Sequence, residues 1–372
     1  MRYGPEEDWR NGGFGVYVHW PFCLALCPYC DFNSHVRREV DHDRWRAALI
    51  AELERARALT GPRPADTIFF GGGTPSLMAP ETVGGIIEAV QRFWGLVPNA
   101  EITLEANPTS IEAARFAAYA AAGVNRVSMG AQALNDADLK RLGRMHTAAE
   151  ARAAFDIARK AFDRVSFDLI YARQDQTPDQ WAAELREAIN MAVDHLSLYQ
   201  LTIEHGTRFA ELHARGGLRG LPSDDRAAEM YEITQEVTAA AGMPAYEVSN
   251  HARAGAESRH NLIYWRYGDY VGVGPGAHGR LTHDGRRWAT ETPRSPEDWL
   301  AAAENDGATS RDPLPAEAPS DEYALLSLRL AEGFDIKRHA ALAGAPIAEG
   351  RIAEAIEHGL VTCDGERLRA TS

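Results

Sequence analysis

The chain has 372 residues, 45% of them apolar and 25% charged, with a formal net charge of -14. That length and balance fit a soluble globular protein with one large domain and a smaller one, and exclude the disordered and fibrous classes. The acidic surplus excludes general attraction to nucleic acid or anionic lipid, because a polyanion repels such surfaces.

In chain order, the N-terminus Met1-Arg-Tyr-Gly-Pro-Glu-Glu-Asp8 carries acids and no apolar run behind it, unlike a secretory signal. No stretch approaches the roughly 20 apolar residues of a membrane-spanning helix, so a cytoplasmic chain is expected. Short β-type runs then recur at Phe14–Trp20, Thr67–Phe70, Glu101–Ala106, Arg126–Met129, Val165–Ile170 and His195–Tyr199. Between them Asp43–Leu59, Ile111–Ala121, Ala148–Phe162 and Asp179–Ala192 carry apolar residues at helical spacing. This alternation predicts an α/β fold with a mostly parallel sheet, and six βα units fit a partial (β/α)6 barrel clothed by helices. Past Leu201 the pattern changes. Asp224–Ala241 reads as an amphipathic helix, Tyr246–Gly279 as a long functional loop rich in Gly, His, Tyr and Trp, and Asp312–Ser320 as a linker. Helices at Asp321–Leu330 and Ala348–His358, then a hairpin turning at Asp364-Gly365, suggest a winged-helix-like module.

Three of the four cysteines crowd into the eight positions of Cys23-Leu-Ala-Leu-Cys27-Pro-Tyr-Cys30, while Cys363 stands apart. Too few for a disulfide framework, they point to a metal or cluster. Three thiolates suit a [4Fe–4S] cubane with one iron left open to a small molecule. A structural zinc site is the alternative, but it needs a fourth ligand, for which His19 or His35 is available. The C-x3-C-x2-C spacing, with an aromatic just before the last cysteine, resembles the radical SAM superfamily, in which S-adenosylmethionine (SAM) chelates the open iron.

In a parallel α/β domain, ligands bind beyond the carboxyl ends of the strands, and the notable polar residues fall there. Gly71-Gly72-Gly73-Thr74 after the second strand lets the backbone approach a ligand. Glu105 ends the third strand and can accept hydrogen bonds from SAM. Gln132 ends the fourth, Arg144 follows it as a candidate clamp for the SAM carboxylate, and Asp168 in the fifth is expected to face a polar cavity.

Together Tyr17-Val-His19-Trp-Pro21-Phe-Cys23, Cys27–His35, Gly71–Ser76, Glu105–Pro108, Gly123–Arg126, Asp168–Tyr171 and Ser197–Thr202 resemble the HemW haem chaperone family, long confused with oxygen-independent coproporphyrinogen III oxidase. The resemblance implies cluster ligation by Cys23, Cys27 and Cys30. It implies SAM contacts from Tyr17, Tyr29, Gly72, Gly73, Thr74, Glu105, Gln132, Arg144 and Asp168. The oxidase has a further cysteine two positions after its third ligand, where this chain has Phe32. His260-Asn261-Leu-Ile-Tyr264-Trp265 matches the family's haem-binding H-N-x-x-Y-W motif, which makes His260 the candidate haem ligand.

The resemblance divides the chain into a barrel with cluster and SAM site (1–210), a barrel extension carrying that motif (211–311) and the winged-helix-like module (312–372). It implies a haem chaperone that passes haem to an acceptor apoprotein, including one at a membrane, with a homodimer as an expected assembly. The alternative is the oxidase itself, a radical SAM enzyme of porphyrin biosynthesis. Two departures stand out. Ala172-Arg173-Gln174-Asp175-Gln176 replaces the family's Gly-Leu-Pro-Gly-Gln, and the chain stops at Ser372, where relatives continue into another helix.

Overall fold

A computed structural model describes residues 5–371; Met1–Gly4, part of the segment judged unlike a secretory signal, and Ser372 lie outside them. Six strands, β1 (Phe14–Trp20), β2 (Ala65–Gly72), β3 (Leu96–Ala106), β4 (Arg126–Gln132), β5 (Arg164–Tyr171) and β6 (His195–Gln200), run parallel in sequence order. They are continued by β7 (Ala245–Glu247), β8 (Asn250–Ala252), β9 (Asp269–Val273), β10 (His278–His283), β11 (Arg286–Glu291) and β12 (Ser310–Pro313). The single sheet reads β12-β11-β10-β9-β1-β2-β3-β4-β5-β6-β8-β7, with β9 parallel to β1 and antiparallel strands at both edges. The barrel is partial, as expected.

Each of the six strands divides its residues between two environments, because successive side chains point to opposite faces. Phe14, Val16, Val18, Ile68, Phe70, Val127, Val165, Phe167, Leu196 and Leu198 face the helices and form the main core. The alternate positions carry Tyr17, His19, Thr67, Glu105, Arg126, Ser128, Ser166, Asp168 and Ser197, which register places side by side on the inner face. Strands with helices on only one face need only one apolar face. The polar inner face marks the lumen as a binding site.

The helices follow local rules. His42–Thr60 is capped by Asp41, whose carboxylate accepts from the Arg44 N–H at 3.1 Å. Ala148–Ala161 and Pro178–Met191 start with capping boxes, Thr147 with Glu150 and Thr177 with Gln180. The helix read over Ile111–Ala121 is two short helices, Ser110–Ala113 and Phe116–Ala121. A helix at Pro80–Phe93 escaped the sequence reading, although Val83, Ile86, Ile87 and Val90 are buried at helical spacing. The adjacent Gly84 and Gly85, poor helix formers, disguise it.

Two further expectations need correction. The span read as a long loop, Tyr246–Gly279, holds β7, β8 and β9 and the helix Arg259–Trp265. The linker read from Asp312 overlaps β12, an edge strand whose Pro313 faces Trp288 of β11; proline is tolerated there because an edge strand leaves one row of N–H groups unpaired. Beyond it, helices Ala318–Ser327, Ile336–Ala343 and Glu349–Glu357 pack on a small antiparallel sheet, β13 (Phe334–Asp335), β14 (Val361–Cys363) and β15 (Arg367–Ala370), ordered β13-β15-β14. Three helices and a small sheet make the expected winged-helix-like module. Arg338 anchors it through an ion pair with Asp8 at 2.7 Å.

Candidate functional site

The cysteines lie in the loop after β1. Its base is closed by a short parallel pairing of Phe22–Cys23 with His35–Val36, while Cys30 N–H bonds the Cys27 carbonyl at 3.2 Å to make the turn. His19 pins the loop from below. Burial lowers its pKa, so the ring is neutral; Nε2 donates to the Asn33 carbonyl at 2.9 Å and Nδ1 accepts from the Tyr17 hydroxyl at 2.9 Å. His19 therefore has no nitrogen to offer a metal, and His35 Nε2 contacts Asn33 Oδ1 at 3.3 Å. Among the described residues no three His, Cys, Asp or Glu side chains converge on a single-ion site. Zinc needs such convergence, whereas a cubane takes one thiolate on each of three irons, which suits cysteines spread along one loop.

All three cysteines line one cavity of about 430 Å³ at the carboxyl ends of β2–β6. The same wall holds Tyr29, Gly72, Gly73, Thr74, Glu105, Gln132, Arg144 and Asp168, so those residues, scattered over 140 positions of sequence (29 to 168, counted inclusively), meet in one place. Tyr17 does not line it. Its hydroxyl is taken by His19 and its ring lies against both Phe69 and His260, which stack directly on each other.

Gly72 has φ +111°, and a Cβ there would come within 2.7 Å of the His19 ring; a Cβ on Gly73 would meet Cys23 Sγ at 3.0 Å. The glycines thus make room for His19 and for the cysteine loop. Gln132 also adopts a left-handed φ, 70°, after a register shift in β4 between Met129 and Gln132. Such backbone on a non-glycine residue is strained, and it turns the strand end into the cavity.

Two carboxylates in the cavity wall are desolvated. Glu105, which accepts from the Gly72 N–H at 3.3 Å, is pushed up to about 8 by burial and by the charge of Asp168. Burial raises Asp168 to about 6, against hydrogen bonds from Ser197 and Ser128. A ligand carrying positive charge would be welcome between them. SAM, with its sulfonium and ammonium groups, fits that demand.

Arg144 is more constrained than a free clamp. Nη2 donates to Asn107 Oδ1 at 2.6 Å and the Gly130 carbonyl at 2.8 Å, while Nη1 reaches Cys27 Sγ at 3.2 Å and the Tyr29 hydroxyl at 3.5 Å. Its Nε is buried without a partner. Asn107, Ser128, Met145 and Tyr199 also line the cavity and were not singled out from sequence. For Asn107 the signal was present in Glu105-Ala-Asn107-Pro108, two positions beyond the residue chosen.

His260 lies elsewhere. It sits on the helix Arg259–Trp265, which packs under the amino-terminal ends of β1 and β2, and it is 1% exposed. Nδ1 is 2.6 Å from Thr67 Oγ1 and Nε2 is 2.7 Å from the Tyr264 hydroxyl, with the ring stacked on Phe69. Burial and then Arg126 lower its pKa to about 3, so it is neutral with both nitrogens engaged.

The altered segment keeps an unusual geometry. Ala172 and Asp175, standing where the resemblance places glycines, both have φ 58°. Arg173 between them is buried, donates to the Ile170 carbonyl at 2.6 Å and pairs with Asp138 at 2.9 Å and Glu184 at 2.5 Å. Those ion pairs hold a turn that glycine would otherwise make easy.

Residues 17–188 match the Radical SAM superfamily profile. A protein described as heme chaperone HemW from Mycobacterium tuberculosis is 40% identical over 363 residues, covering 96% of this chain and 91% of that one. Heme chaperone HemW from Escherichia coli is 42% identical, covering 77% and 75%, and the mouse mitochondrial radical S-adenosyl methionine domain-containing protein 1 is 45% identical, covering 80% and 68%. Among solved structures, coproporphyrinogen III oxidase (HemN) from Escherichia coli, described as a radical SAM enzyme, superposes with TM-score 0.79 over 98% of this chain and 89% of that one, at 22% identity. That likeness carries the fold. Near-full-length identity to HemW proteins carries the relationship: the chain belongs to the HemW family of the radical SAM superfamily.

Proposed function

We propose that the protein is a haem chaperone that binds a [4Fe–4S] cluster, SAM and haem, and passes haem to an acceptor apoprotein. The observation that carries it is the 40% identity over 96% of the chain to a protein described as a heme chaperone. Phe32, 60% exposed beside the cluster loop, supports it over the oxidase, since the oxidase resemblance would place a cysteine there.

Cys23, Cys27 and Cys30 would hold the cluster, which when bound supplies an electron to SAM on its open iron. The chain's own residues do the rest. Glu105 and Asp168 offer desolvated carboxyl groups that the SAM cation would favour in their charged forms, Gly72 and Gly73 bring backbone close, Thr74, Gln132 and Tyr29 bound the cavity, and Tyr17 with His19 fixes the loop from beneath. Haem ligation by His260 requires one ring nitrogen to give up its bond, to Thr67 or to Tyr264. We take the chaperone to work in the cytoplasm as a homodimer, with a client that can sit at a membrane. No helix among the described residues is long and apolar enough to cross one.

Anaerobic reconstitution with iron, sulfide and SAM, then haem titration followed by transfer to an apoprotein, tests this. Wild type should bind and release haem, and His260→Ala should bind it weakly. Unchanged affinity and transfer in His260→Ala would remove the role given to that residue, and a wild type that binds no haem would remove the chaperone reading.

A further inference from the structure

We propose that Asn107 is a positioning residue: its amide links two of the three cysteine sulfurs through a hydrogen-bonded bridge and thereby sets the reduction potential of the cluster. The inference rests on the cluster reading given above and adds a residue that neither the superfamily motif nor the cavity by itself assigns.

The bridge is continuous. Thr74 Oγ1 donates to Cys23 Sγ at 3.3 Å, and Asn107 Nδ2 donates to Thr74 Oγ1 at 3.3 Å. On the other side Asn107 Oδ1 accepts from Arg144 Nη2 at 2.6 Å, and Arg144 Nη1 reaches Cys27 Sγ at 3.2 Å. Backbone bonds hold the residue still, since its N–H donates to Glu112 Oε2 at 2.7 Å and its carbonyl accepts from the Thr109 N–H at 2.9 Å.

The orientation of the amide matters because a hydroxyl has one proton. With the Asn107 NH2 donating to Thr74, the Thr74 proton is free to point at sulfur; with an acceptor in that place, the proton would turn to Asn107 and Cys23 would lose its donor. The guanidinium of Arg144 accepts nothing, so it requires the amide oxygen on its own side and fixes the orientation. One asparagine therefore keeps an O–H donor on one thiolate and an N–H donor on another. Donors to cluster sulfurs stabilise the more negative, reduced state and raise the potential.

The test is an EPR-monitored redox titration of the reconstituted, SAM-free cluster, with iron and sulfide content measured on each preparation. Thr74→Val, close in shape, should lower the midpoint by at least a tenfold change in the reduction equilibrium, about 59 mV for one electron. Thr74→Ser should restore it. Asn107→Asp keeps the acceptor for Arg144 and replaces the donor to Thr74 by an acceptor, so it should lower the midpoint as well, and by less in a Thr74→Val background than alone. Loss of potential with rescue by serine and this non-additivity are results a merely structural role does not give. Wild-type midpoints in Asn107→Asp and Thr74→Val at full cluster content would overturn the inference, as would additive shifts. A wild-type chain that takes up no cluster would instead overturn the cluster reading.

Discussion

Thr67 Oγ1 and His260 Nδ1 lie 2.6 Å apart although 193 residues separate them in the chain. This contact ties the helix of the H-N-x-x-Y-W motif to the barrel floor and closes one imidazole nitrogen, while Tyr264 closes the other. Thr67→Val leaves Nδ1 buried and unpaired, at a cost of about 1–3 kcal/mol readable in urea unfolding. If His260 serves haem, Thr67→Val and Tyr264→Phe should take up haem faster than wild type in stopped-flow mixing, because one bond to be broken is already gone. Equal uptake rates in all three proteins would show that the helix need not open.

The two desolvated carboxylates predict a pH dependence. Glu105 is raised from 4.5 to about 8 and Asp168 from 3.8 to about 6, so between those limits the unfolded chain has released protons that the native, ligand-free chain retains. Their contribution to stability is full below the unfolded values and is lost as pH rises to the folded ones. Glu105→Gln should flatten the decline in melting temperature of ligand-free protein between about pH 5 and 8. A decline parallel to that of wild type would show that Glu105 ionises freely.

SAM should reverse that trend. A cation beside Glu105 and Asp168 favours their charged forms, so SAM binding should release protons at neutral pH. Calorimetry in two buffers of different ionisation enthalpy reads this directly, and no difference between buffers would contradict it.

At the altered segment, Ala172→Gly relieves a left-handed φ of 58° and should stabilise the protein by up to about 1 kcal/mol in denaturant unfolding. Arg173→Leu should have the opposite effect, about 3 kcal/mol or more, since Asp138 and Glu184 lose the cation they share. Destabilisation by the glycine would mean that the turn is not strained.

Anaerobic incubation with coproporphyrinogen III, SAM and a reductant should give no protoporphyrinogen. Product formation would restore the oxidase reading in spite of Phe32.

By itself, the sequence determined the α/β rhythm, the start and end of β1, and the clustering of Cys23, Cys27 and Cys30, because strand alternation and ligand spacing are local properties of the chain. It also brought Gly72, Glu105, Gln132 and Asp168 forward as candidates, since each stands near the end of a strand, and Arg144, which follows the fourth. Tertiary structure alone decided their neighbours. Residues at 74, 107 and 144 join Cys23 to Cys27 only when three strand ends are brought to one rim, and no periodicity encodes a contact across three βα units. The same holds for His260, whose surroundings looked like loop because Gly and aromatic residues dominate them, yet whose helix is fixed by burial against Phe69 and Thr67 of a strand far upstream. Packing likewise decided the neighbours of Tyr17. It stands in the expected motif, but pleating and packing place its hydroxyl on His19, beneath the cavity and not in its wall.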